Sequence, residues 1–178
     1  MSTDKRYYLT SPIYYVNDVP HIGHAYTTLA CDVLARFKRF DGFDVHFLTG
    51  TDEHGQKVET AAENAGMDPL AFTTQVSQNF RDLLPALNVS NDDFIRTTEE
   101  RHIKSVQEIW RRLITRGHIY LGKYAGWYSV RDEAYFAESE LVDGIAPTGA
   151  PVEWVEEPSY FFDLSKWQEP LLKFYDEN

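Results

Sequence analysis

The spacing of apolar residues between positions 7 and 48 constrains the fold of this 178-residue chain more than any other feature. Residues 7–10 are rich in β-forming side chains, and a proline-containing loop follows them. The Asp41-Gly42 pair indicates a turn before a second strand over residues 44–48. Strand, helix and strand of these lengths predict a βαβ unit, in which a right-handed crossover joins two parallel strands. The helix begins at Gly23 or His24, and its apolar face is formed at steps of four, four and three by Leu29, Val33, Phe37 and Phe40.

The residues that follow extend this α/β pattern. A short helix is predicted over residues 56–65, and a brief strand is predicted within NDDFIRT. Asp68 predicts the N-cap of a longer helix with proline at its first position. Thr97 and Glu100 fit a capping box that opens a further helix to about Arg116. The buried side of the helix after Asp68 is predicted to contain Phe72, Val76, Phe80 and Leu83, and the apolar stripe of the last helix Ile103, Val106, Trp110 and Leu113.

The character of the sequence changes after Gly117. The segment IYLGKYAGWYSVRDEAYF is aromatic, β-prone and interrupted by glycines, which is typical of β-hairpins. The segment after it is acidic and rich in prolines, and residues 166–175 predict a helix. We therefore predict an α/β unit over residues 1–117 and a small β-rich unit after it. The tryptophans are expected to pack within these units rather than to stack on RNA bases.

Composition and charge exclude several classes of protein. Cys31 is the single cysteine, which excludes an internal disulfide and a Cys-pair zinc site within the chain. The net charge is −11, and residues 132–178 carry 12 acidic and 2 basic side chains. Neither part has a basic stripe suited to a phosphate backbone. No apolar run approaches the roughly 20 residues of a membrane span. We expect a cytoplasmic protein without a membrane partner.

Two histidines stand where the first loop becomes a helix. The N–H groups and the positive dipole end of a helix N-terminus favour phosphate. In a parallel sheet, ligands bind beyond the carboxyl ends of the strands, where this loop and residues 49–55 both lie. His21 and His24 are able to donate hydrogen bonds to phosphate oxygens whose charge grows during phosphoryl or nucleotidyl transfer, and Gly23 leaves room for a nucleotide. The alternative is that the two histidines only cap the helix at the surface.

Four motifs carry a resemblance to a known family. SPIYYVNDVPHIGHAY contains an intact His-Ile-Gly-His and resembles the first signature of class I aminoacyl-tRNA synthetases. FLTGTDEHGQK, RTTEERH and YFFDLSKWQEPLL narrow the resemblance to the methionyl-tRNA synthetase family. The resemblance implies an α/β fold with the first half of a Rossmann-like parallel sheet over residues 1–117. It also implies a β-rich connective-peptide insertion over residues 118–165 and the start of the return to the catalytic core over residues 166–178.

The resemblance also implies an activity. Members of the family activate L-methionine with ATP and Mg²⁺ to methionyl-adenylate, and they then transfer the methionyl group to tRNA(Met). By similarity, His21 and His24 stabilise the transition-state phosphates, and Gly23 makes room for the adenosine. The reaction needs alignment and charge stabilisation more than a general base, because the attacking carboxylate is already an anion.

Methionine recognition is implied for residues of two loops. By similarity, Asp52 pairs with the ammonium group, the main chain of Ile13 helps to hold it, and Tyr15 packs against the thioether. Taken alone, TDEHG also fits a strand-end turn with surface charges. A metal cluster of Asp52, Glu53 and His54 is disfavoured by its one-residue spacing, so we expect Mg²⁺ to arrive with ATP.

The sequence departs from the family pattern in two places. Residues 128–131 (YSVR) and 146–149 (APTG) replace the Cys-x-x-Cys pairs of a zinc knuckle, which predicts a zinc-free insertion held by apolar and aromatic packing. The Lys-Met-Ser-Lys-Ser loop and the anticodon-binding domain have no counterpart. We therefore expect this chain to be an N-terminal fragment that has little activity alone. In the full-length protein, tRNA is expected to bind mainly through regions that this chain lacks. The alternatives are a non-catalytic truncated paralogue or interaction module of the same fold, and another nucleotidyl-transfer enzyme of the superfamily.

Overall fold

The computed structural model describes residues 5–177 and divides into two compact units, one ending at Ser105 and the other beginning at Val106. The domain boundary near Gly117 stays a prediction. Among residues 5–177, no helix combines the length and the apolar character needed to cross a membrane. The elements follow in the order β1 (Arg6–Thr10), β2 (Tyr14–Tyr15), α1 (Ile22–Phe40), β3 (Asp44–Asp52), α2 (Gln56–Asn64), α3 (Pro69–Ala86), β4 (Asp93–Arg96), α4 (Glu100–Thr115), β5 (Ile119–Ser129), β6 (Ala134–Phe136), β7 (Glu153–Phe162) and α5 (Gln168–Glu177).

The first unit is built around β3, which pairs in parallel with β1, β2 and β4. β1 lies along the first half of β3, with Arg6 opposite Asp44 and Thr10 opposite Leu48. β2 and β4 lie along its second half. The predicted parallel βαβ unit is confirmed, because α1 connects the parallel strands β1 and β3.

β3 is longer than the predicted strand over residues 44–48. It continues to Asp52 because its second half finds partners in both β2 and β4. Gly50 permits the close approach of β4, since a Cβ built there would lie 2.0 Å from the carbonyl oxygen of Ile95. Gly50, which the prediction placed beyond the end of the strand, therefore belongs to the central strand, where close backbone contact requires a glycine.

The face of α1 that packs on the sheet differs from its apolar face. Thr28 hydrogen-bonds the Tyr14 hydroxyl at 2.8 Å, and the Asp32 carboxylate accepts from the N–H and hydroxyl of Ser90, both at 2.6 Å. These polar contacts fix the rotation of the helix about its axis. The buried residues are Thr28, Asp32 and Ala35, whereas the predicted apolar face is 38% to 94% exposed at Leu29, Val33, Phe37 and Phe40.

α3 has the predicted cap and most of the predicted core. The Asp68 carboxylate accepts from the N–H groups of Leu70 and Ala71 at 3.0 and 3.1 Å, as expected of an N-cap. Val76 and Phe80 are buried as predicted. The last core residue is Leu84 rather than Leu83, and Phe72 packs against the cluster from a partly buried position. The core cluster contains Tyr14, Val16, Val58, Val76, Phe80, Leu84 and Phe94.

The predicted capping box at the start of α4 is wrong. α4 begins at Glu100, and the Glu99 carbonyl accepts from the N–H groups of His102 and Ile103. The Thr97 hydroxyl instead accepts the N–H of Glu53 at 2.8 Å, because Thr97 continues the line of β4 beside the end of β3. In the part of the chain that the structure describes, no side chain of α4 is buried, its predicted apolar stripe included.

The second unit is an antiparallel sheet, as the hairpin pattern predicts. β5 is its central strand and pairs with β6 and β7. Aromatic rings meet across these strands, with Trp127 and Trp154 at 5.4 Å and Tyr124 and Tyr135 at 4.3 Å between ring centroids. Beyond β5, the carboxylate of Asp132 accepts hydrogen bonds from Ser129 and Thr148, which joins the two segments that stand at the knuckle positions.

Candidate active site

The first turn of α1 is closed by two histidines that cap each other. His21 is the N-cap residue, in extended conformation, and its Nδ1 accepts the N–H of Gly23 at 3.1 Å. The Nδ1 of His24 accepts the N–H of His21 at 3.0 Å. This reciprocal arrangement satisfies two N–H groups that a helix start leaves without partners. The imidazole rings lie 3.9 Å apart between centroids, at an angle of 31°.

The capping bonds determine the tautomer of both rings. A nitrogen that accepts a backbone N–H carries no proton, so each neutral ring carries its proton on Nε2. Burial, and to a lesser degree the proximity of the His21 imidazole, lowers the pKa of His24 below its ordinary value. His24 is therefore neutral at physiological pH, and the two Nε2–H groups remain as hydrogen-bond donors at a helix N-terminus.

Gly23 is required by the capping geometry itself. A Cβ built at this position would lie 2.9 Å from Cε1 and 3.1 Å from Nδ1 of His21. Real Cβ atoms essentially never approach within 3.0 Å of another heavy atom, so any larger residue displaces the His21 ring. The structure thus gives Gly23 a role that the sequence did not indicate. Its role in accommodating adenosine stays a prediction.

Two aromatic residues of the core pack against the ring of His24. The ring of Tyr14 lies 4.9 Å from the His24 ring, and the ring of Phe80 lies 5.2 Å from it, both in edge-to-face geometry. Tyr14 and Phe80 stack on each other at 5.7 Å. Sequence reasoning assigned Phe80 to the core and overlooked Tyr14. The sequence did contain an indication that Tyr14 is buried. Side chains alternate along a strand, so Tyr14 lies on the face of β2 opposite to that of Tyr15.

The two loops predicted to recognise methionine are joined by sheet pairing. Tyr15 lies opposite Asp52 and Tyr14 lies opposite Thr51 in the parallel pair of β2 and β3. Tyr14 and Thr51 are buried in the core, so alternation along the strands places Tyr15 and Asp52 together on the other face. Tyr15 is 56% exposed and therefore accessible to a ligand.

A cavity of about 410 Å³ lies between the first loop and the start of α1. Four of the six predicted site residues line it: Ile13, Tyr15, His21 and His24. The other lining residues are Tyr14, Asn17, Asp18 and Val19. Gly23 and Asp52 are not among the described residues that line it, although Asp52 is the neighbour of Tyr15 in the sheet.

The loop after β3 is fixed by a buried carboxylate. The side chain of Glu53 is fully buried and forms an ion pair with Arg96, whose Nε and Nη2 donate to the two carboxylate oxygens at 2.7 and 2.8 Å. The hydroxyls of Thr51 and Thr98 donate to the same carboxylate at 2.8 and 2.6 Å. Burial alone would raise the pKa of Glu53, but the hydrogen bonds from Arg96, Thr98 and Thr51 outweigh it and hold the pKa below its ordinary value.

Sequence reasoning missed this network because its members are distant in the chain. Glu53 was considered only as a surface charge or as part of a disfavoured metal cluster. The available signal was that TDEHG and RTTEERH lie at the carboxyl ends of the predicted strands over residues 44–48 and within NDDFIRT; β3 and β4 are neighbouring parallel strands, so the two motifs meet at one edge of the sheet. Over residues 5–177, no three His, Cys, Asp or Glu side chains are arranged to hold a metal ion.

Comparison with known proteins places these features in a family. Residues 7–153 match the family described as tRNA synthetases class I (M). The methionine–tRNA ligase of Rickettsia conorii is 68% identical over 173 residues, which cover 97% of this chain and 34% of the relative. The corresponding ligase of Mesorhizobium japonicum is 56% identical over 181 residues, which cover 99% of this chain and 35% of the relative.

A solved structure agrees with these sequence matches. Mycobacterium tuberculosis methionyl-tRNA synthetase in complex with methionyl-adenylate superimposes with a TM-score of 0.88 at 52% identity. The match covers 98% of this chain and 35% of that chain, so the present chain spans about a third of the length of its relatives. The predicted fold class and family resemblance are confirmed. Since the family match includes both motif-bearing loops and most of the sequence, the chain belongs to the class I tRNA synthetases, in the methionyl-tRNA synthetase family.

Proposed function

We propose that this chain supplies the ATP-binding histidines and part of the methionine pocket of a methionine–tRNA ligase. The observation that carries the proposal is the reciprocal capping of His21 and His24, which leaves two Nε2–H donors at a helix N-terminus. The proposal is also supported by the similarity to methionine–tRNA ligases and to a synthetase that was solved with methionyl-adenylate.

The proposed first reaction is an in-line transfer at phosphorus. A carboxylate oxygen of L-methionine forms a bond to the α-phosphorus of ATP, and the bond from that phosphorus to the pyrophosphate oxygen breaks. The carboxylate is already ionised, so this step needs no general base. His21 and His24 donate hydrogen bonds from Nε2 to phosphate oxygens on which negative charge develops. Mg²⁺ enters with ATP and neutralises phosphate charge.

The methionine side of the site is proposed on β2 and β3. Asp52 provides the anionic partner for the substrate ammonium, and the carbonyl of Ile13 provides a second acceptor. Tyr15 packs against the thioether, a contact that sulfur makes favourably with aromatic rings. The support for this assignment is the register that sets Tyr15 beside Asp52 and the cavity that Ile13 and Tyr15 share with the histidines. Gly23 is proposed to admit the adenosine.

The second reaction transfers the methionyl group to tRNA(Met). The chain carries a net charge of −11 and no basic stripe, which is unsuited to a large contact with a phosphate backbone. We infer that tRNA(Met) is held mainly by parts of the relatives that this chain does not span. The proposed setting of the reaction is the cytoplasm.

Titration of the ¹⁵N-labelled chain with substrates tests the proposal. L-methionine is expected to shift the amide signals of residues 13–15 and 52, with L-leucine as the control that leaves them unchanged. MgATP is expected to shift the first turn of α1 in the wild type and not in the His24→Ala variant. Methionine-dependent pyrophosphate exchange by the chain alone is expected to be weak. Equal responses to methionine and leucine, or an unchanged MgATP response in His24→Ala, would overturn the assignment.

A further inference from the structure

The motifs TDEHG and RTTEERH converge on one buried carboxylate. Arg96 and Thr98 donate to the carboxylate of Glu53, and the hydroxyl of Thr97 accepts the N–H of Glu53. Three consecutive residues of the second motif thus contact one residue of the first. We propose that Glu53 is a positioning residue for methionine recognition, which holds Asp52 in place from the side away from the ligand. This inference deepens the proposed function and rests on it.

The hydrogen bonds leave Glu53 no capacity for a ligand. A carboxylate has about four acceptor sites. Two are used by the Nε and Nη2 groups of Arg96, and two by the hydroxyls of Thr51 and Thr98. The side chain is also fully buried. A group that is saturated with donors and closed to solvent contacts neither substrate nor metal, so its contribution is to hold the loop.

The network fixes the chain on both sides of Asp52. On one side, the Thr51 carbonyl accepts the N–H of Thr97 at 3.2 Å, and the Thr51 hydroxyl lies 3.0 Å from that of Ser77 in α3. On the other side, both the backbone and the side chain of Glu53 are held. Asp52 therefore stands between two anchored residues, so its backbone and the direction of its Cα–Cβ bond are fixed before any substrate binds.

Glu53→Gln is the test variant because it keeps the size of the side chain and removes its charge. Whichever oxygen position the amide nitrogen of glutamine takes, it faces an N–H donor of Arg96, so one hydrogen bond is replaced by a donor–donor contact. Thr98→Val is the milder variant, since it removes one hydrogen bond and retains the ion pair. The matched control is Asp32→Asn. Asp32 is likewise a buried carboxylate held by an arginine and by hydroxyl and N–H donors, and its partners Arg36 and Ser90 lie outside the cavity.

Two measurements on the full 178-residue chain decide the matter. Hydrogen exchange of the amides of residues 52–55 reports whether the loop is held, and calorimetric titration with L-methionine and with MgATP reports binding. Glu53→Gln is expected to accelerate loop exchange and to weaken methionine binding by about tenfold or more, with MgATP affinity unchanged. Thr98→Val is expected to show a smaller change of the same kind. Asp32→Asn is expected to lose comparable stability without either effect.

The outcomes separate this inference from the proposed function. If Glu53→Gln binds methionine as tightly as Asp32→Asn does, the positioning role is overturned. A parallel loss of methionine and MgATP affinity overturns it as well, since that pattern indicates general destabilisation. If the wild-type chain binds no methionine, the proposed function fails at this site. In that case, hydrogen exchange of residues 52–55 still tests whether Glu53 holds the loop. Equal exchange rates in Glu53→Gln and Asp32→Asn overturn this role. Faster exchange in Glu53→Gln alone upholds it.

Discussion

Replacing Gly23 by alanine is expected to leave the stability of the start of α1 nearly unchanged while weakening its proposed binding of phosphate. The added Cβ would lie 2.9 Å from Cε1 of His21, so the ring rotates away and releases the N–H of residue 23. Loss of an N-cap hydrogen bond costs about 1 kcal/mol. Exchange of glycine for alanine within a helix gains roughly 0.5–1 kcal/mol. The two terms nearly cancel, and the free energy of unfolding is expected to change by less than about 1 kcal/mol.

The affinity for ATP is expected to fall, because the Nε2–H of His21 no longer points where the capped ring directs it. One hydrogen bond to a charged group contributes about 1.5–3 kcal/mol, which corresponds to roughly 10- to 100-fold in affinity. Urea unfolding, calorimetric titration with MgATP and ¹⁵N spectra of the imidazole rings measure the three effects. Ala25→Gly, in the same turn of α1, is the control for helix propensity alone. A Gly23→Ala variant with wild-type ATP affinity and an unchanged His21 tautomer would refute the reasoning.

Three further predictions follow from the packing and charges. The pKa of Glu53 is lowered in the folded chain, so its contribution to stability is present above the unfolded pKa and is lost as the pH falls through the folded pKa. In urea unfolding at decreasing pH, the free energy of unfolding is therefore expected to fall less steeply in Glu53→Gln than in the wild type. Equal slopes of this free energy against pH would contradict the assignment. Phe80→Ala is expected to cost about 3–5 kcal/mol in urea unfolding, and Leu83→Ala clearly less, because Phe80 is 2% exposed and Leu83 is only partly buried; equal costs would show that α3 packs by a different face. Gly50→Ala is expected to lower the unfolding midpoint strongly, since its Cβ would meet the Ile95 carbonyl at 2.0 Å, and a wild-type midpoint would disprove the close approach of β3 and β4.

Local patterns predicted the elements better than the faces by which they pack. The β1–α1–β3 unit and the Asp68 cap follow from short stretches of sequence, and the structure has both. The rotation of α1 does not follow from its apolar spacing. Thr28 and Asp32 turn inward because Tyr14 and Ser90 offer hydrogen-bond partners, and those partners lie in other elements. The periodicity of apolar residues along a helix contains no information about hydrogen bonds between its polar side chains and other elements.

In the candidate site, too, contacts between residues close in the sequence were easier to predict than contacts between distant residues. His21 and His24 are three residues apart, and their mutual capping is a local event that a helix start makes predictable. Glu53 and Arg96 are 43 residues apart, and their ion pair depends on the parallel register of β3 and β4. Before that register was known, Glu53 was indistinguishable from a solvated charge. The residues proposed to face a ligand were thus easier to name from the sequence than those that support them.

The position of β3 between three parallel partners has a consequence for the kinetics of folding. Each partner is separated from β3 by loops and helices, so every pairing closes a long segment of chain before it gains a hydrogen bond. The β5–β6 hairpin in the second unit closes a turn of only residues 130–133. Refolding is therefore expected to proceed in two phases, with fast formation of the hairpin and slow formation of the parallel sheet. Until that slow phase is complete, Tyr15 and Asp52 are not neighbours, so the capacity to bind methionine is expected to appear last.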